Sequence, residues 1–238
     1  MPSGTVICLK ASLLTVWLAS AGTLFAQAPT QVLAYYKIYK SGILIGTVDE
    51  QFTRDGDRYR IVSTTQTAGA LAWLLRDRLT ITSDGRIGSA GLEPALYEFR
   101  REKNQAKNLS ASFDWDKKQI ISRHEGKTEN FELPAGTLDR VSAMYQFMFK
   151  EPRTSEVITW MSQGKKAEQY RYMKQGEPVM TIGETRYPTV HYARETKPGE
   201  SRAQLWLAKD RYFIPVKMVF EDSHGIALEQ SLVTLHVE

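Results

Sequence analysis

From about residue 30 onward the chain alternates apolar and polar positions over short runs, and glycine-containing turns interrupt it at intervals of roughly ten residues, the rhythm of antiparallel hairpins. "RYRIVSTTQT" (58–67) opens with strict alternation, and "NLSASFDW" (108–115) puts Leu109, Ala111, Phe113 and Trp115 on one face. "PVKMVFED" (215–222) does the same with Val216, Met218 and Phe220. Between such runs, Asp55-Gly56, Asp84-Gly85, Glu125-Gly126, Gln163-Gly164, Gln175-Gly176, Pro198-Gly199 and His224-Gly225 each offer a residue able to take positive φ. This punctuation predicts roughly twelve to fifteen strands joined by short turns. The expected fold is all-β, mainly antiparallel, with a curved or partly closed sheet that manages its own edges. In "KAEQYRYMK" (166–174) Ala167, Gln169, Arg171 and Met173 face one way and Glu168, Tyr170 and Tyr172 the other. Neither face is purely apolar, so one side of the sheet is expected to be wet.

Two segments depart from the two-residue period. In "TLDRVSAMYQFMFK" (137–150) the apolar residues fall three and four apart, which predicts one central amphipathic helix. Thr137 suits its N-cap, Asp139 its first turn and Lys150 its last, and Pro152 prevents continuation. Asp139, Ser142, Gln146 and Lys150 form a polar strip, while Leu138, Val141, Met144, Tyr145, Met148 and Phe149 cover most of the rest. The second departure, "AGALAWLLRDR" (68–78), is a short apolar helix or loop. A strongly curved sheet cannot fill its concave face from its strands alone, so the helix is expected in the hollow. There it either completes an ordinary core or helps to enclose an apolar pocket. Under the pocket reading, Met144, Tyr145 and Met148 line the hollow together with Trp73 and Leu74, since Met144 and Met148 share one side of the helix and methionine adapts to varied apolar ligands.

The first residues place the chain in the cell. Met1 to Lys10 is a short basic leader and Ala11 to Phe25 an apolar run, long enough for a secretory signal and short of the ~20 residues of a membrane span. Cleavage is expected after Ala26; Ala26-Gln27-Ala28 offers a second site after Ala28, which Pro29 disfavours. An uncleaved anchor is the alternative. The domain expectation is therefore a signal peptide over 1–26 and a single β-rich periplasmic domain over 27–238, with no transmembrane span after cleavage. The only cysteine, Cys8, falls within the leader, so a core must hold the mature fold without disulfides. The leader takes Lys10 with it, lowering the formal charge from +4 to +3. With the basic pairs Arg100-Arg101, Lys117-Lys118 and Lys165-Lys166 dispersed, nucleic acid is not expected as a partner.

Reaction machinery is sparse. There is no Gly-x-Ser-x-Gly elbow, and His124, His191, His224 and His236 are far apart in sequence. Asp114 and Asp116 flank Trp115 like a carboxylate pair, although "DWDKK" is also a charged turn. Neither an enzymatic activity nor a cofactor is expected. Asp139 and Arg140, adjacent on a helix, point about 100° apart, so each should meet a strand rather than the other.

Three stretches carry a family resemblance: "YYKIYKSGILIGTVDEQF" (35–52), "LDRVSAMYQFM" (138–148) and "LWLAKDRYFIPVKMVF" (205–220). They resemble the opening strands, the central Asp-Arg-aliphatic-Ser helix and the Trp-Leu-Ala segment of an exported proteobacterial family, domain of unknown function 3108. The resemblance implies an envelope location and a β-rich fold, and assigns no functional residues. The expected shape is also similar to that of periplasmic lipoprotein carriers, an analogy of form alone. The leading functional expectation is a non-enzymatic periplasmic binding or carrier module for an apolar or amphipathic, lipid-like ligand. Its alternative is a structural or protein-interaction envelope factor with a filled core and an envelope protein as partner. An enzyme acting on envelope glycans or lipids comes third.

Overall fold

The computed structural model describes residues 28–69 and 77–238. Sixteen strands lie among them. The first eight are β1 (Gln31–Lys40), β2 (Ile43–Asp55), β3 (Arg58–Thr67), β4 (Arg78–Gly88), β5 (Gly91–Arg101), β6 (Leu109–Asp114), β7 (Gln119–His124) and β8 (Lys127–Glu132). After β9 (Thr137–Asp139) come a single α-helical turn, α1 (Ser142–Tyr145), and a 3₁₀ turn over Gln146–Met148. Then follow β10 (Glu156–Ser162), β11 (Glu168–Gly176), β12 (Val179–Ile182), β13 (Thr185–Arg194), β14 (Arg202–Ala208), β15 (Ile214–Glu221) and β16 (Ala227–Val237).

The strands form one long sheet in the order β8-β7-β6-β5-β4-β3-β2-β1-β16-β15-β14-β13-β11-β10-β9, with β12 paired to β13 off this path. All the pairings are antiparallel except β9 with β10, which run parallel. The sheet is not closed by hydrogen bonds. It curls until its β9 end lies against β5, leaving β6, β7 and β8 as an overlapping flap. Side-chain packing closes the seam. Gly164, after β10, sits so near Leu109, Tyr97 and Ala111 that a Cβ there would come within 3.1 Å of the Tyr97 ring.

The alternating positions face the hollow as the two-residue period demands. Val32, Ala34 and Tyr36 of β1, Val48, Glu50 and Phe52 of β2, and Ile61 and Ser63 of β3 are buried, and their neighbours on the outer face are more exposed. Two core clusters result. One surrounds Phe52, Tyr59, Ile61, Tyr97 and Tyr145; the other surrounds Tyr36, Tyr192, Leu205, Val216 and Met218. Met144 touches both.

Three expectations are corrected. Residues 137–139 continue the sheet as β9, so the helix expected over 137–150 shrinks to one α turn and one 3₁₀ turn beginning at Ser142. Thr137 does not cap it: its hydroxyl donates to the Pro134 carbonyl at 2.7 Å. Asp139 takes that role, its Oδ1 accepting the Val141 and Ser142 N–H groups at 2.9 Å each. Asp84-Gly85 is not a turn either. It lies inside β4 at a register shift against β5, where a Cβ on residue 85 would come within 2.7 Å of the Tyr59 ring. Glycine serves there for close packing rather than for positive φ. The second apolar segment, 68–78, lies mostly outside the described residues.

Candidate ligand-binding site

The hollow holds two cavities that meet at one wall. The first, of about 390 Å³, lies between β2, β3 and β4 on one side and β11, β14, β15 and β16 on the other. Val48, Ile81, Tyr172, Met218 and Phe220 give it apolar walls, and Glu50, Arg140 and Arg194 bring charge. The second, of about 500 Å³, lies between α1 with its following turn and β10, with Leu138, Phe147, Val157, Trp160 and Leu205 in its lining. Met144, Met161 and Tyr172 line both. Such volumes lie within the ~300–1,000 Å³ common for small-molecule sites. Two other hollows, of about 730 and 800 Å³, lie at hairpin ends among charged side chains. In the former the charges satisfy one another, as Arg60 with Asp84 at 2.8 Å and Arg86 with Glu93 at 2.7 Å.

The register explains how the first cavity acquires a carboxyl group. Glu50 of β2 pairs with Ser63 of β3, which pairs with Ile81 of β4, so all three face inward together. The Ser63 hydroxyl donates to Glu50 Oε1 at 3.1 Å, and the Tyr145 hydroxyl from α1 donates to Oε2 at 3.0 Å. Burial raises the Glu50 carboxyl above its usual range, opposed by these two hydrogen bonds and by the Arg140 charge. The Tyr145 and Tyr36 hydroxyls are pushed up as well, by burial first and by the Glu50 charge second.

A stability prediction follows from that direction. A carboxyl whose folded pKa lies above its unfolded value, about 4.3 for glutamate, holds its proton more tightly in the folded state. Its contribution is complete below the unfolded value and is lost as pH rises through the folded one. Glu50→Gln should therefore leave stability little changed at pH 4, while the parent loses ground to the variant as pH rises toward 8. Melting temperatures of both proteins across that range test this. A difference that does not vary with pH would show that Glu50 titrates as a solvated carboxylate.

A second buried carboxyl holds the seam. Asp139 is fully buried, and besides its two backbone donors it accepts a short hydrogen bond from Ser83 of β4 through Oδ2. Ser83 in turn shares a hydrogen bond of 3.1 Å with the Tyr59 hydroxyl of β3. Burial raises Asp139 too, against the hydrogen bonds that favour its charged form. Asp139 thus meets a strand, as expected, although it does so from the end of β9 rather than from a helix. Arg140 instead stays exposed at the rim of the first cavity. Gln146 completes the attachment: its Oε1 accepts the Leu92 N–H at 2.8 Å and its Nε2 donates to the Ala90 carbonyl at 2.9 Å.

Of the residues expected to line a pocket, Met144 does so in both cavities. Tyr145 is 1% exposed and sits in the core, stacked on Phe52 with ring centroids 5.6 Å apart. Met148 packs, partly buried, against the same core cluster. Trp73 and Leu74 lie outside the described residues. Glu50, Arg140, Arg194 and Tyr172 were not singled out as lining residues by the sequence pattern. Glu50 alternates with Val48 and Phe52 on the inward face of β2, but only the register with β3 and the position of α1 show that Ser63 and Tyr145 meet its carboxyl.

Among the described residues no group of three or more His, Cys, Asp or Glu is placed to hold a metal ion. Asp114 is a turn residue whose Oδ1 accepts the Lys117 N–H at 2.9 Å. Among the described residues no helix is long and apolar enough to cross a membrane.

A family model described as "Protein of unknown function (DUF3108)" matches residues 32–232, nearly the whole described chain. The chain belongs to the DUF3108 family. A comparison with curated proteins finds no match. Among solved structures, this DUF3108 chain is similar to a beta-barrel-like protein of domain of unknown function DUF1849 from Brucella abortus. The TM-score is 0.57 at 12% sequence identity, covering 88% of this chain and 98% of that one. At that identity the likeness concerns the fold alone: a DUF3108 chain and a DUF1849 chain share a barrel-like, mostly antiparallel architecture.

Proposed function

We propose that this chain is an exported, non-enzymatic binding or carrier module of the cell envelope, taking an amphipathic, lipid-like ligand into its hollow. The observation that carries the reading is the pair of cavities meeting at Met144, between α1 and the concave face of the sheet. Space of this kind beside α1 supports a binding role over one of core filling alone. The leader at 1–26 supports export to the periplasm, where a soluble acyl carrier would work. Each methylene buried in such a site contributes about 0.8 kcal/mol before the entropic costs of binding. The alternative is a structural or interaction factor of the envelope that binds a protein through its outer surface.

The test is binding of a fluorescent long-chain acyl probe by the purified chain, with native mass spectrometry of protein taken from its host to look for a co-purified ligand. Met144→Trp should obstruct the wall between the cavities and lower probe affinity about tenfold or more, the loss of roughly two buried methylenes. Met148→Ala should cost up to about 2 kcal/mol of stability, being only partly buried, and leave probe binding in place. Absence of probe binding by the parent, with no ligand in the native spectrum, would decide for the structural alternative.

A further inference from the structure

We propose that Arg140 and Arg194 form a head-group subsite in the first cavity, so that the ligand is a single-chain amphiphile with an anionic head. This rests on the binding reading above and narrows it to a chemical class. The two arginines reach the cavity from different elements. Arg140 follows β9 directly, at the rim. Arg194 ends β13 and pairs with the inward-facing Tyr172 of β11, so it too lies on the concave side. Its guanidinium stands 4.5 Å from the centroid of the Tyr170 ring, which orients it without neutralising it.

The acidic groups lining the same cavity are otherwise engaged. Glu221 pairs with Arg202 at 3.7 Å. Asp222 accepts the His224 and Ile226 N–H groups at 2.9 Å each within its turn. Glu50 is held by Tyr145 and Ser63, and its burial favours the neutral form. Neither Arg140 nor Arg194 makes an ion pair with a carboxylate among the described residues. Two guanidinium groups thus line one partly apolar hollow without an ion pair to the carboxylates beside them. A guanidinium offers paired N–H donors matched to a carboxylate or phosphate, so an anionic head would bind there while its chain lies along Met144, Tyr172 and Met218.

The experiment compares a long-chain fatty acid, the matching alkyl phosphate and the fatty-acid methyl ester as competitors of the acyl probe on the full chain. The acid and the phosphate should each bind about tenfold or more tightly than the ester, and whichever is preferred identifies the kind of head. Arg140→Gln combined with Arg194→Gln should abolish that preference while leaving the ester unchanged. Should the double variant fold poorly, the parent provides the same reading: added salt should weaken the acid and not the ester. Equal affinities for acid and ester, or equal losses of both in the double variant, would overturn the subsite and leave the binding reading standing. Failure of all three ligands to compete would remove both.

Discussion

Asp139→Ala is expected to destabilise the fold by about 3–5 kcal/mol, because it removes the acceptor of several hydrogen bonds inside a fully buried site. The Val141 and Ser142 N–H groups would lose the partner that starts α1, and Ser83 would lose the bond that ties β9 to β4. Since no strand pairing closes the sheet at this seam, which depends on side-chain contacts, both the helix and the edge strand should loosen together. The melting temperature should fall by about 10 °C, given roughly 2–4 °C per kcal/mol for a chain of this size. Asp139→Asn keeps an acceptor for the backbone groups and should lose less than half as much. Equal, small losses in both variants would show that the carboxylate is a solvated surface group.

Phe52→Ala is expected to cost a comparable amount, about 3–5 kcal/mol, through the cavity left behind. The Phe52 side chain is fully buried and sits among three aromatic rings, Tyr59, Tyr145 and Phe149, with centroids 6.4, 5.6 and 5.9 Å away. Two of these neighbours come from α1 and the segment after it, so the ring is where strand β2 grips the helical insert. Phe52→Leu keeps most of the volume and should lose less than half of that. Chemical denaturation should show a lower midpoint with an unchanged slope, the mark of lost stability without a changed extent of unfolding. A Phe52→Ala protein within about 1 kcal/mol of the parent would mean the hollow collapses freely around the gap.

The strands were legible because their determinants are local. Side chains alternate across a strand whatever its partners, so Leu109, Ala111 and Phe113, or Val216, Met218 and Phe220, declared one inward face each. Glycines with positive φ, such as Gly56, Gly126 and Gly199, marked turns for a reason that lies in their own backbone. Gly85 shows the limit: its small size answers to the Tyr59 ring across the sheet, a contact that its own neighbours do not reveal.

The helix expected over 137–150 was misjudged in length. Spacing of three and four correctly found the α-helical turn at Ser142–Tyr145, but β9 can form only because β10 offers it a parallel edge, and no periodicity carries that information. Asp139 was expected to meet a strand and does so, whereas Ser142 and Gln146 were read only as members of a polar strip. The three make the contacts to β4, to the start of α1 and to the β4–β5 turn, since a polar side chain is buried at little cost where its hydrogen bonds are complete. By itself, then, the sequence determined a long antiparallel sheet, the inward faces of its strands and the position of the one α-helical turn among the described residues. Tertiary structure alone decided that the sheet curls to meet its own β9 edge, that Ser63 and Tyr145 meet the Glu50 carboxyl, and that Arg140 and Arg194 face one cavity. Those outcomes depend on register and curvature, which set partners across residues distant in the chain, whereas alternation and turn chemistry act between neighbours.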